Sequence, residues 1–476
     1  MLNYFFSFLC LTSILIFPQS KEQLLKTGID SLLKDNFFQS SQIAVDVFDL
    51  TSHKTLYQKN EKLLLNPASN LKILTTVAAL NYLGDSYKFE TSVYYTGRII
   101  NGNLYGDIYV KGGCDPEFNS SDLDSLAKGI TSAGIKNISG NIYGDVSMTD
   151  SLFWGEGWMW DDDPSPDAPY LTSLDINKNT FGVIVKPSED YNPPVIVPVP
   201  DNKYIKIENK AVTVPADSPQ TVKINRDWIN RDNAMTVKGN VRNVFIPDSL
   251  VDTLRVNVYN PALYFLNLFK ETLVKKSVGF NGGISFGDTP DYADRIFSLD
   301  RMLKDVIPDI NKNSYNLGAE MLIYALAAKY FGTPADAEKG VSMVDSLICE
   351  AGCDPSLYSI VDGSGISRYN LLSAELVVAI LKYIYYEKPS LYKTIYSSLP
   401  VAGKDGTLKD RMAGTPAEKN VHAKTGTLSG VTTLSGYLTS KNGNLIAFSI
   451  FIQNFIGDPD TGRNFQNRIC NIIIDY

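Results

Sequence analysis

Histidine is nearly absent from this chain of 476 residues, which holds two, His53 and His422. That scarcity excludes a histidine-rich metal site, and no metal or cofactor is expected. A Ser-His-Asp triad would have to use one of the pair, and no G-x-S-x-G turn exists to present a nucleophilic serine. Excess positive charge is also missing. With a formal net charge of -8, no cationic face is legible for a phosphate backbone, so nucleic acid is excluded as a partner. Cysteine is scarce: Cys10, Cys114, Cys349, Cys353 and Cys470. The last four permit a bridge but make no disulfide scaffold, and the Cys349 to Cys353 spacing has no histidine beside it. Structural thiols or a single bridge are expected.

Long hydrophobic runs are lacking too. The stretch MLNYFFSFLCLTSILIFPQS carries an apolar segment from Tyr4 to Phe17, short of the roughly 20 residues that span a bilayer. Pro18, Gln19 and Ser20 follow it. Residues 1–20 therefore read as a signal peptide, although no Lys or Arg precedes the apolar run, and an uncleaved anchor is the alternative. Either way the protein is expected outside the cytoplasm, periplasmic or extracellular, with membrane association open.

What is present is globular. Hydrophobic residues make up 44% and charged residues 20%, near the averages for folded proteins, and the length suits two or three cores. Residues 22–37 show helical spacing, with Leu24, Leu25, Ile29, Leu32 and Leu33 apolar. Two strand-like runs, QIAVDVFDL and HKTLYQKN, come next. The stretch SNLKILTTVAALNYLG is apolar around too much of its circumference for a surface helix, so it should be central and end near Gly84. From about residue 100 to 178 the pattern is strand, helix, strand, a βαβ unit. Residues 180–257 form short strands between turn residues. Helices return from Pro261, and the chain closes on two strands, GTLSGVTTLSGYLTS and NLIAFSIFIQN, turning at Asn442 and Gly443 before a last helix near Asn464 to Ile474.

If a serine acts here without histidine, lysine is the alternative base. Ser69 and Lys72 stand three apart at the start of the central helix, on one face and one turn apart. A lysine at its ordinary pKa of about 10.4 would be neutral in only about one molecule in a few thousand at pH 7. Burial and the positive end of a helix both favour the neutral amine. The pair Ser31 and Lys34 has the same spacing on the polar face of the first helix, where solvation explains it. Lys26-Thr27-Gly28, Ser139-Gly140-Asn141 and Ser440-Lys441-Asn442 are further chance look-alikes of motifs that matter below.

An ordered set lifts Ser69 above these. Ser69-x-x-Lys72 opens a buried helix, Ser314-Tyr315-Asn316 sits in a polar turn between helices, and Lys424-Thr425-Gly426, extended by Thr427, begins a strand. This resembles the S-x-x-K, S-x-N and K-T-G signature of penicillin-binding proteins and serine β-lactamases. Roughly half the chain separates Ser69 from Ser314, an insertion that is similar to the low-molecular-mass, class C penicillin-binding proteins, the D-alanyl-D-alanine carboxypeptidase/endopeptidase family. VKGGCDP, GDVSMTDSLFWGEGW, NPALYFLNLFKE, VDGSGISRYN and HAKTGTLSGV resemble segments of that family. Cys114, where the family usually has glycine, and Ser429, where some members have glutamine, depart from it.

The resemblance implies a multi-domain α/β protein. A penicillin-binding/β-lactamase-like catalytic domain, with an antiparallel sheet and helices, is expected at 21–90 and 291–476. A β-rich domain would be inserted at 91–99 and 179–290, with a small α/β domain nested in it at 100–178. The resemblance also implies a serine-type D-alanyl-D-alanine carboxypeptidase/endopeptidase, with peptidoglycan stem peptides as substrates and β-lactams as covalent inhibitors. Ser69 would be the nucleophile and Lys72 its base, with Ser314 relaying a proton to the leaving amine. Asn316 would hold the substrate amide, while Lys424, Thr425 and Thr427 bind the terminal carboxylate and Gly426 admits the substrate backbone. The N–H groups of Ser69 and Thr427 would form the oxyanion hole. Arg368 and Asp150 resemble residues that contact the donor peptide. Trp154, Trp158 and Trp160 beside Asp161 to Asp163 read as a cap on a domain core. A serine β-lactamase and a non-catalytic peptidoglycan-binding or sensing protein are the alternative readings.

Overall fold

The computed structural model describes residues 20–244 and 253–476. The segment read as a signal therefore lies outside the described residues except for Ser20, whose hydroxyl caps the first helix, Lys21–Leu32, by accepting the Gln23 N–H.

The two ends of the chain build one antiparallel sheet, in the order His422–Leu428, Val431–Thr439, Leu445–Gln453, Gln42–Asp49 and Lys54–Lys59. The sequence LIAFSIFIQ has no polar alternation because both its faces are covered. Phe448, Ile450 and Ile452 pack with Leu25, Ile29, Ile469 and Ile473 of the first and last helices. Ala447 and Phe451 face the other way, into the core shared with the helix Ala374–Glu387. Beyond that helix lie Leu71–Leu83 and Asn316–Phe331, each apolar all round and buried for most of its length. The central helix ends, as its sequence suggested, at Gly84, whose φ of 81° closes the last turn.

The closing strands differ from expectation in one respect. The run read as a single strand from Gly426 to Ser440 is two, broken at Ser429 and Gly430, with Gly430 at φ 69°. The Ser-Gly pair is a turn signal that the strand-forming residues on both sides, Thr427 and Leu428 before it and Val431 and Thr432 after it, obscure.

The inserted region also pairs differently from the nesting read in the sequence. The βαβ unit is there: Ile108–Lys111 and Ile142–Asp145 are parallel neighbours joined through the helix Ser120–Ser132. Their sheet, however, also takes Lys88–Tyr95, Asp294–Met302 and Ile284–Phe286. The strands between 180 and 257, in two three-stranded sheets, are thus enclosed by the two halves of the α/β unit rather than enclosing it. Chain leaves and re-enters the catalytic part side by side, since Lys88–Tyr95 pairs antiparallel with Asp294–Met302. Strand pattern predicts strands but carries no information about partners some two hundred residues away. Both inserted units share one apolar core, from Val93 and Leu126 through Phe181 and Val237 to Phe269. The described cysteines Cys114, Cys349, Cys353 and Cys470 are all free thiols.

A buried ion pair fastens the loop that crosses from this region toward the catalytic part. Arg226, fully buried, meets Asp163 and also donates to Asn257 Oδ1 (3.2 Å) and the Asp232 carbonyl (3.0 Å). Tyr170 donates to the other Asp163 oxygen at 2.7 Å. Asp163→Ala strands a guanidinium in the interior, a loss of about 3–5 kcal/mol. The thermal unfolding midpoint of that variant should fall clearly, and Arg226→Met added to it should recover part of the loss; an unchanged midpoint in the single variant contradicts this role.

Candidate active site

The start of the central helix is tied to three other segments. Asn66 Oδ1 accepts the Ala68 N–H at 2.9 Å, and its amide donates to the Ser367 carbonyl at 3.1 Å. Thr433 Oγ1 donates to the Pro67 carbonyl at 2.9 Å, and Asn70 Nδ2 to the Lys424 carbonyl at 3.0 Å. Ala68 takes φ 45°, a left-handed conformation costly for a residue with a Cβ, and strain of this kind persists where surroundings over-determine it. The next residue, Ser69, opens onto a cleft of about 1150 Å3.

One turn on, Lys72 has no exposed surface. Its Nζ stands 3.0 Å from Ser69 Oγ, 2.6 Å from Asn316 Oδ1 and 2.7 Å from the Ser364 carbonyl oxygen. Burial pulls its pKa down to about 8, against the opposing charges of Asp362, Glu320 and Asp167. Lys424 is equally buried and is pushed well below its ordinary value by burial, and then by the charge of Lys72. Desolvation comes first for both lysines, and the repulsion between them is felt at Lys424.

The cleft gathers much of the sequence-read set. Ser69, Ser314, Asn316, Thr425, Gly426 and Thr427 all line it. Ser314 sits at φ 61° between the helices Leu303–Lys312 and Asn316–Phe331. Asn316 has both ends of its amide engaged, the oxygen by Lys72 and the nitrogen by the Asp167 carbonyl at 2.6 Å. Thr425 meets Thr407 Oγ1 at 2.7 Å, and Thr427 Oγ1 accepts from Arg463 at 3.1 Å. Lys424 lies on the opposite face of this strand, as alternation requires, with its Nζ donating to the Thr425 carbonyl at 2.8 Å.

Gly426 has a reason beyond substrate access. A Cβ there would fall 2.2 Å from Thr433 Oγ1 and 2.9 Å from both the Pro67 oxygen and the Ser69 nitrogen. Its bareness lets the strand His422–Leu428 close against the helix start, bringing the Ser69 N–H beside the strand.

Arg368 and Asp150 are placed apart from this group. Arg368 donates both terminal nitrogens to the Ser429 carbonyl at 3.2 Å and lines a neighbouring cavity that shares Thr427 and Leu428 with the cleft. Asp150 lines a separate cavity of about 230 Å3 with Phe153, Tyr170 and Phe286. Its carboxylate accepts the Leu152 N–H, and burial raises its pKa.

Several members of the site escaped the sequence reading. Glu320, 2% exposed, accepts the N–H groups of Gly363 (3.0 Å) and Ser364 (2.8 Å). Burial, then the charge of Asp362, raises it to about 8, while those N–H bonds and Lys72 oppose the shift. Asp362 accepts from the N–H groups of Gly365 and Ser367, from Asn370 and from Trp158 Nε1, at 2.8 to 3.0 Å. Together the two carboxylates hold the segment that presents the Ser364 carbonyl to Lys72. Gly365, at φ 85°, packs so closely that a Cβ would lie 2.0 Å from the Ala68 oxygen. Glu320 stands one helical turn after Asn316, which was the available signal. Trp158 is buried and packs edge-on to Trp154, whereas Trp160 is 72% exposed and lies against Trp228, so the expected core cap holds for the first two alone.

Comparison with known proteins agrees with this geometry. The profile of the D-Ala-D-Ala carboxypeptidase 3 (S13) family matches residues 25–474. A D-alanyl-D-alanine carboxypeptidase of Actinomadura sp. (strain R39) is 32% identical over 441 residues, covering 90% of this chain and 80% of that protein. D-alanyl-D-alanine carboxypeptidase DacB of Haemophilus influenzae is 30% identical over 460 residues and 92% of each chain. The crystal structure of Haemophilus influenzae penicillin binding protein 4 (dacB) superposes with a TM-score of 0.81 at 27% identity, covering 94% of this chain and 99% of that one. A second structure of that protein, complexed with a β-lactam, gives 0.76. With a serine hydroxyl and a buried lysine amine in contact at a helix start, and a family match over nearly the whole chain, the protein belongs to the D-Ala-D-Ala carboxypeptidase 3 (S13) family of peptidases.

Proposed function

We propose that the protein is an exported serine-type D-alanyl-D-alanine carboxypeptidase/endopeptidase that works on peptidoglycan stem peptides through an acyl-enzyme at Ser69, and that β-lactams acylate the same serine. The observation carrying this reading is the contact of 3.0 Å between Ser69 Oγ and a Lys72 amine held near pKa 8. Neutral Lys72 takes the hydroxyl proton as Ser69 Oγ attacks the carbonyl carbon between the two D-alanines. The N–H groups of Ser69 and Thr427 stabilise the oxyanion, each worth about 3 to 4 kcal/mol in such sites. Collapse breaks the C–N bond, and the proton held by Lys72 passes through Ser314 to the departing amine. Water then adds to the ester, and the serine regains its proton. In this account Asn316 fixes Lys72 in the resting state and turns to the substrate amide when Lys72 moves. In a β-lactam the leaving nitrogen stays tethered to the acyl group, which slows the second half of the cycle. Export is supported by the apolar run before Ser20; among the described residues no helix is long and apolar enough to cross a membrane.

A fluorescent penicillin should label the purified protein covalently. Ser69→Ala should abolish labelling and Ser31→Ala should leave it intact; persistent labelling of the Ser69 variant overturns the assignment. The rate of that acylation should also follow the neutral fraction of Lys72. Below pH 8 most of the amine carries its proton, so the rate should rise close to tenfold per unit and level off above about 8. Lys72→Arg should lose about 100- to 10,000-fold. A rate that is flat, or that falls, between pH 6 and 8 contradicts lysine as the base.

A further inference from the structure

The strand His422–Leu428 puts two threonines in the lining of the cleft, while Lys424, on the face it shares with Gly426, is fully buried near Lys72, leaving a question of charge. A peptide ending in D-alanine carries a carboxylate beyond the scissile bond, on the side of Thr425 and Thr427. Lys424 has no exposed surface, and its Nζ donates to the Thr425 carbonyl. Cations line the cleft from two other segments, Lys409 and Arg411 after the turn Gly406–Leu408 and Arg463 and Arg468 from the helix Pro459–Ile474, with Asp410 and Asp460 beside them.

Arg411 is the unusual member. Its side chain is half-buried, and the burial of its guanidinium draws its pKa down to about 10. The partners are all uncharged: Asn467 Oδ1 at 2.7 and 3.1 Å, Gln466 Oε1 at 3.0 Å and the Arg463 carbonyl at 3.3 Å. Other enclosed arginines are neutralised from within the protein. Arg226 meets Asp163, and Arg301 meets Asp115 and Asp122 at 2.9 Å. Among the described residues, no carboxylate oxygen reaches ion-pair distance of Arg411. A buried charge without a counter-ion is costly unless a partner arrives. Arg463 lies between it and the strand, bonded to Thr427 Oγ1 at 3.1 Å and to the exposed Asp460 at 2.8 Å. Among the described residues Arg468 forms no ion pair, and its guanidinium lies 5.6 Å from the Phe465 ring centre.

We infer that Arg463, backed by Arg411 and Arg468, forms an anion subsite on the leaving-group side of the cleft and binds the carboxylate of the residue that departs, with Thr425 and Thr427 as neutral donors. The inference rests on the Ser69 acyl-enzyme reading and adds what selects the substrate: Arg463 is a specificity-determining residue that discriminates a free carboxylate from a capped end. Arginine suits the task because its planar fork can meet both oxygens.

Three acyl-D-alanyl substrates test it on the full chain: a peptide ending in D-alanine with a free carboxylate, the same peptide as its C-terminal amide, and a thioester whose leaving thiol is uncharged. The native protein should prefer the free acid to the amide. Arg463→Gln should lower kcat/KM for the free acid about 10- to 100-fold, while amide and thioester rates stay near native, and Arg463→Lys should restore part of the loss. An unchanged preference in Arg463→Gln overturns the subsite, as does an equal loss on all three substrates, which marks a structural role. If the native protein takes no acyl group even from the thioester, the Ser69 reading fails, and the subsite falls with it.

Discussion

An amine that belongs in water is buried in this protein. Lys72 has no exposed surface, and its nitrogen is shared among a hydroxyl, an amide oxygen and a backbone carbonyl. Each contact comes from a different stretch of chain, so the pocket exists only once the helix start, the Ser314 to Asn316 turn and the segment 362–367 have assembled. Burial there lowers the cost of losing a proton, and three acceptors keep the amine beside Ser69 in either state. Lys34, at the same spacing after Ser31, is exposed and has no such enclosure.

The architecture supplies the dryness and the aim. The helices around the central one turn their apolar residues toward it, so polar groups enter this layer at few points. Those that do enter are tied down: Asn70 to the strand carrying Lys424, Asn66 to Ser367, and Asp362 to Trp158 of the inserted loop. Gly365 and Gly426 allow backbone to approach backbone on two sides of Ser69. The loop anchored by Arg226 and Asp163 reaches the cleft through Asp167, whose carbonyl accepts from Asn316. The inserted units thus touch the same residue that holds Lys72.

What could be read from the sequence was local or repeated. The helix Asn316–Phe331 follows its apolar pattern residue for residue, and Ser69 with Lys72 stand out because spacing along one helix fixes their proximity. Pairing across the chain was out of reach. Nothing in Lys88–Tyr95 announces Asp294–Met302 as its neighbour, so this pairing was not legible. Glu320, Asp362 and Arg411 looked like ordinary charged residues; only their burial, set by distant contacts, distinguishes them. Lys424 illustrates the converse, since its motif was legible while the direction of its side chain, settled by strand alternation against the helix start, was not.

The protonation state of Lys72 is the point on which the account turns. Lysines labelled with 13C at the ε position, followed by NMR from pH 6 to 11 in the native protein and in Lys72→Arg, report it directly. One resonance, absent from the variant, should titrate near pH 8, about two units below the surface lysines. A Lys72 signal titrating with the surface group near 10.4 would contradict a neutral lysine base.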